Sequence, residues 1–173
     1  MNQKWIEVRE HRLCICTNEN TGKTKKIIIF LPGWGQSKAG SYFLYSQIAN
    51  EMEKYNSLLL DYYGFGDSDG EFENCSYEDT FFQCAELVKK CYEKYEEIVL
   101  IASGFANRIA QKLTEKHSDL KAILIEPCIE NIDNFKSVKY IRKIKEMKVI
   151  DTSILYESFD DSEKLFLFFR RGI

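Results

Sequence analysis

The fold turns on one stretch, Glu97-Ile98-Val99-Leu100-Ile101-Ala102-Ser103-Gly104-Phe105-Ala106-Asn107. The apolar run from Ile98 to Ala102, rich in β-branching, suits a strand buried on both faces. The chain then turns at Ser103-Gly104. Beyond the turn Phe105, Ile109, Ala110 and Leu113 recur at helical spacing. The stretch therefore reads strand, sharp turn, helix.

A turn of this kind presents a nucleophile when it reads G-x-S-x-G, because the strained backbone lifts a serine hydroxyl above the sheet. The residues two before and two after the central one must be small, since they pack across a tight turn. Ala102 and Ala106 meet that demand when the centre is Gly104. Centring on Ser103 instead puts the bulky Ile101 and Phe105 in those places. The predicted register thus gives the nucleophile position no side chain.

Working outward, the upstream chain repeats the pattern. Residues 5–17 alternate imperfectly and predict one or two strands; residues 18–23 form a turn cluster. Lys26 to Leu31 is a central-strand run, followed by the loop Pro32-Gly33-Trp34-Gly35-Gln36-Ser37. Leu44, Ile48 and Met52 predict a helix over 42–55, and residues 57–63 a further strand. After the loop Gly64-Phe65-Gly66-Asp67-Ser68-Asp69-Gly70, Ser76 and Asp79 make a capping box for a long helix. Lys121 to Ile125 is one more strand, ended by Pro127. Strands alternating with helices through short links predict right-handed crossovers. The fold class is α/β, a three-layer α/β/α sandwich with a mostly parallel sheet. The unusual loops at Pro32, Gly64 and Gly104 then collect at one sheet edge, beyond the strand C-termini.

Composition excludes several function classes. The 173 residues and 45% hydrophobic content suit one globular domain. A net charge of -3 argues against nucleic-acid binding. The polar start Met1-Asn2-Gln3-Lys4-Trp5 and the lack of a membrane-span run predict a cytoplasmic protein with no span. The six cysteines, at 14, 16, 75, 84, 91 and 128, form no C-x-x-C pair, and His11 and His117 show no ligand spacing with them. Free thiols are expected, with no metal and no cofactor.

The order Leu31-Pro32-Gly33-Trp34-Gly35, then Asp61-Tyr62-Tyr63-Gly64-Phe65-Gly66-Asp67-Ser68, then Ala102-Ser103-Gly104-Phe105-Ala106 resembles the α/β-hydrolase superfamily, shortened at the C-terminus. Serine esterases, thioesterases and aminopeptidase-like members are the nearest in pattern. The resemblance covers about residues 5–128. The family's D-x-R-G-x-G-x-S motif has Tyr63 for its arginine, and Pro32 stands where H-G-x has histidine.

The resemblance implies an oxyanion hole from the backbone N–H of Phe105 and one at Trp34. It implies a ligand site at Gly33, Trp34, Ser103, Gly104 and Phe105. The nucleophile position maps to the bare Gly104. The family's acid matches weakly at Asp161, and no histidine follows His117, so a full Ser-His-Asp set cannot be assembled in the family's order.

The expected role is therefore non-catalytic: a degenerate hydrolase-like protein binding an acyl or peptidyl molecule, or a protein partner. An active esterase or thioesterase using Ser103, or completed by a partner chain, is the alternative. A structural subunit is the third. Cys128 as a nucleophile lacks a histidine partner. The glycines at 64, 66 and 70 are spaced wrongly for a dinucleotide loop. Asp67, Ser68 and Asp69 are expected to bond within their turn rather than to bind a cation.

The tail differs in character. The core is expected to occupy residues 1–128 of a single domain. Ile132, Phe135, Val138, Ile141 and Ile144 predict a lid-like amphipathic helix within 129–148, and 149–173 the final elements. Leu165, Phe166, Leu167, Phe168 and Phe169 need burial, within the chain or in a homo- or hetero-oligomer.

Overall fold

The computed structural model describes residues 1–19, 24–125 and 138–141. Strands β1 (Asn2–Val8) and β2 (His11–Asn18) form an antiparallel hairpin. The remaining strands are β3 (Lys26–Leu31), β4 (Asn56–Leu60), β5 (Glu97–Ser103), β6 (Lys121–Ile125) and β7 (Val138–Ile141). The sheet runs in the order β1-β2-β4-β3-β5-β6-β7. From β4 to β7 every pairing is parallel, while β2 meets β4 antiparallel. Antiparallel pairing lets the hairpin close one side without a crossover helix.

Among the described residues, three α-helices cover the sheet: α1 (Leu44–Glu51), α2 (Tyr77–Tyr92) and α3 (Ala106–Lys116). Strand alternation divides the core into two layers. Ile27, Ile29, Leu31, Ile98, Leu100 and Ala102 pack with Leu87 and Val88 of α2 and Ile109 and Leu113 of α3. Ile28, Phe30, Val99 and Ile101 pack with Tyr45, Ile48 and Ala49 of α1. This is the predicted three-layer α/β sandwich with a mostly parallel sheet. Burial on both faces explains the unbroken apolar runs of β3 and β5: each such side chain removed from water contributes about 1.5–3 kcal/mol.

The long helix begins as its capping residues predict. Ser76 Oγ accepts the Asp79 N–H at 3.0 Å and donates to the Asp79 carboxylate at 2.6 Å. The box is thus closed through the serine hydroxyl. Lys89 and Lys90 in the last turn complement the helix dipole.

Three segments depart from expectation. The strand predicted over 57–63 is Asn56–Leu60, and it has ended by Asp61. The helix predicted over 42–55 spans only Leu44–Glu51, preceded by a 3-10 turn at Ser41–Phe43. Tyr42 (φ 54°) and Phe43 (φ 59°) are left-handed there, and Met52 (ψ 63°) ends the helix. Met52 and Tyr55 are still buried, so the apolar spacing persists past the last helical turn. In the tail, Val138–Ile141 lies where a helix is expected and is instead strand β7, parallel to β6. Valine, tyrosine and isoleucine favour a strand once β6 offers unpaired backbone groups. The other tail expectations, including Cys128, Asp161 and residues 165–169, lie outside the described residues.

Candidate functional site

The parallel strands all point to one edge, where the loops after β3, β4 and β5 meet. The turn from β5 to α3 has Gly104 at its apex, with φ +56°. Left-handed backbone costs any other residue about 1 kcal/mol or more, which accounts for glycine there. Ala102 and Ala106 on either side are fully buried. A Cβ built on Gly104 would meet only the Gly33 Cα, at 3.6 Å. That is an ordinary contact, so the apex is open and the backbones of the two loops lie close together.

Ser103, one residue earlier, ends β5 on the α1 face. Its hydroxyl is committed. Gln36 Oε1 accepts the Gly33 N–H at 3.0 Å. A backbone N–H can only donate, so the amide oxygen must face Ser103 as well, and Ser103 Oγ donates to it at 3.3 Å. The buried Tyr45 hydroxyl then donates to Ser103 Oγ at 2.8 Å, with Leu31 O 3.1 Å away from the same phenol. Burial pushes the Tyr45 phenol well above its ordinary pKa, so it stays a donor. The serine proton thus goes to an amide, which is no base.

The loop after β3 is tied down at several points. Gln36 N–H donates to Gly33 O at 3.1 Å, and Gly35 has the positive φ (+74°) that the third residue of such a turn demands. Gln36 Nε2 donates to Ser41 Oγ at 2.8 Å, and the buried Tyr62 hydroxyl donates to Pro32 O at 3.1 Å. Among the described residues, the N–H groups of Trp34 and Phe105 donate to no backbone carbonyl.

The loop after β4 is organised by a buried carboxylate. Asp61 accepts the Lys38 N–H at 2.5 Å and the Asp67 N–H at 2.9 Å. Lys38 Nζ lies 2.6 Å from Asp61 Oδ2 and 2.7 Å from Asp67 Oδ2. Burial alone would lower the Lys38 pKa, but hydrogen bonds to Asp61 and Asp67 outweigh it and hold the ammonium above its ordinary value. The Lys38 hydrogen bond and charge hold the Asp67 carboxyl below its own.

Ser68 Oγ donates to Asp61 O and accepts the Cys14 N–H, each at 2.7 Å. Ser68 therefore bonds back into the loop as expected, whereas the carboxylates of Asp67 and Asp69, expected to bond within their turn, reach out of it to Lys38 and to Arg12 of β2. Ligand atoms of Cys14, Asp61 and Asp67 lie within 4.8 Å of one another, yet the positive charge these carboxylates gather is the Lys38 ammonium.

Aromatic rings cluster beside the turn. Trp34 makes edge contacts with Phe105 (4.9 Å between centroids), Phe65 (5.3 Å) and Phe72 (5.6 Å). Tyr62 packs beneath against Phe65 and Phe105. Trp34 and Phe72 remain partly open to solvent.

The structure brings together Gly33, Trp34, Ser103, Gly104 and Phe105. It places neither histidine beside them. His11 stacks on Tyr63 at 4.0 Å, in β2, three strand spacings or about 14 Å from β5. His117 caps α3 at the end away from Gly104, roughly 16 Å along the axis, and packs against Tyr92. Cys14, Cys16, Cys75, Cys84 and Cys91 are free thiols. No helix among the described residues is long and apolar enough to cross a membrane. Sequence reasoning missed Gln36, Lys38 and Tyr45. Gln36 and Lys38 sit in a loop with no periodicity, and Tyr45 reads as one more core aromatic.

No family model matches the sequence, and no curated protein is significantly similar to it. Solved structures do match. Est1E from Butyrivibrio proteoclasticus, a structure with ferulic acid bound, aligns at TM-score 0.60 and 17% identity over 70% of this chain and 51% of that one. The α/β hydrolase GrgF from Penicillium sp. sh18 aligns at 0.64 and 20%, over 75% and 46%. Mouse α/β hydrolase domain-containing protein 10 aligns at 0.57 and 16%, over 72% and 49%. The chain spans about half the length of these proteins. With this sheet order, this strand–turn–helix at Gly104 and these neighbours, the protein has the α/β-hydrolase fold.

Proposed function

We propose that this chain is a catalytically degenerate α/β-hydrolase-like protein that binds an acyl or peptidyl ligand, or a protein partner, where a hydrolase of this fold carries its active site. One observation carries the reading: the apex of the turn is Gly104, at φ +56°, with only Gly33 Cα near the place where a side chain would start. No attacking oxygen is there. The neighbouring Ser103 hydroxyl is held by Tyr45 and Gln36, and an amide cannot take its proton. Two backbone N–H groups, at Trp34 and Phe105, suit a ligand carbonyl oxygen, and the rings of Trp34, Phe65, Phe72 and Phe105 suit an apolar chain.

Treatment with a fluorophosphonate probe tests the absence of catalysis, and no serine should be labelled. Stoichiometric labelling that disappears in Ser103→Ala would overturn the reading in favour of a working serine esterase or thioesterase. Binding is read from Trp34 fluorescence in a Trp5→Phe background, titrated with octanoate and with N-acetyl dipeptides. Saturable quenching by either is the expected result; a flat response to both leaves the protein-partner form of the reading, which pull-down by a Gly104→Trp variant against the native protein then decides.

A further inference from the structure

Gln36 braces its own loop and ties it to the next turn. Its backbone N–H and its Oε1 hold both polar groups of Gly33. Its Nε2 reaches Ser41, where α1 approaches. The same Oε1 accepts from Ser103, the residue just before Gly104. Gln36 therefore joins the β3–α1 loop, which carries the Trp34 N–H, to the β5–α3 turn, which carries the Phe105 N–H. The first loop has glycines at 33 and 35, and so little backbone stiffness of its own.

We propose that Gln36 is the positioning residue of a carbonyl-oxygen cradle formed by the Trp34 and Phe105 N–H groups, and that Ser103 is the strut that anchors it. The inference rests on the ligand-site reading above. Donors stabilise a developing oxyanion only when held close to the place where its charge appears. A serine with its proton on Gln36 and its lone pair on Tyr45 is built to hold an amide in place. Ser103 acts through Gln36 and touches no ligand.

The test installs a reporter at the open apex. In full-length Gly104→Cys, the introduced thiolate attacks the carbonyl carbon of p-nitrophenyl acetate. The carbonyl oxygen takes up negative charge, the bond to the phenolic oxygen breaks, and p-nitrophenolate leaves with the electron pair. Alkylation of the same thiol by iodoacetamide builds no oxyanion. Mass spectrometry of the peptide containing residue 104 separates this thiol from the native cysteines.

Adding Gln36→Leu should slow acetylation about tenfold or more while alkylation stays within about twofold. Gln36→Glu, which keeps the acceptor for Gly33 and Ser103, should restore most of the rate, and Ser103→Ala should slow acetylation several-fold. Equal losses in acetylation and alkylation would mean a general loosening and overturn the positioning role, as would acetylation indifferent to Gln36→Leu. Alkylation without any acetylation in Gly104→Cys itself would overturn the cradle, and with it the carbonyl-binding form of the proposed function.

Discussion

Replacing Lys38 by methionine isolates the interaction that holds two site loops together. Methionine keeps most of the stem and removes only the ammonium. The Asp61 side chain is 0% exposed and that of Lys38 only 12%, so the carboxylate is left buried without its cation. Breaking a buried pair from one side costs about 3–5 kcal/mol. Asp61 keeps the Lys38 and Asp67 backbone N–H bonds, which places the loss near the lower bound, about 3 kcal/mol. At about 2–4 °C per kcal/mol for a chain of this size, the melting temperature should fall by about 6–12 °C.

Lys25→Met is the control. Its pair with Glu96 is just as short, 2.5 Å, but the two side chains are 70% and 71% exposed, so no resolvable change is expected. Urea unfolding at pH 7 measures both variants, with the midpoint moving and the slope unchanged. The penalty also has a defined pH profile. Asp67, with its pKa lowered, contributes stability above about pH 4 that fades as the pH falls through its folded value. Lys38, with its pKa raised, contributes fully below about pH 10 and loses it only above its folded value. The Lys38→Met penalty should therefore be flat between about pH 5 and 9 and shrink in acid. A Lys38→Met variant as mild as Lys25→Met would refute the argument that the buried carboxylate depends on this ammonium.

Three further outcomes follow from the same geometry. Gly66→Ala places a Cβ 2.3 Å from the Asp61 carboxyl at φ +53°, so it should cost more than about 3 kcal/mol in chemical denaturation, whereas Gly35→Ala, with open space around it, should cost only about 1–2 kcal/mol for its backbone. Phe43→Asn relieves a left-handed aromatic that is 69% exposed, and should raise stability by about 0.5–1 kcal/mol; a loss would mean the ring is packed. Burial pushes the Cys91 thiol up to about 12 and raises the Cys84 thiol as well, so both should resist an aromatic disulfide reagent at pH 8 until the protein unfolds, while among the described cysteines the half-buried Cys16 and Cys75 react before them.

Much of the architecture was legible in the chain. β3 and β6 fall where their apolar runs predict, because a strand buried on both faces leaves no polar position to blur its limits. The elbow register was legible because Ala102 and Ala106 are the small pair and Gly104 the only glycine between them. The α1 limits were not, since apolar spacing continues through Met52 and Tyr55 after the helical hydrogen bonds stop. The strand at Val138–Ile141 was not, because spacing alone cannot register the pairing partner that β6 supplies.

By itself the sequence determined the layering, the edge at which the loops gather and the bare position at the turn. These follow from local periodicity and from steric demands between near neighbours, which a linear chain displays directly. Only the tertiary structure decided what the polar groups there do. Gln36 meets Ser103 across 67 residues, Tyr45 meets it across 58, and Lys38 meets Asp61 across 23. Hydrogen bonds and ion pairs depend on distance and direction in space, and no spacing along the chain encodes either.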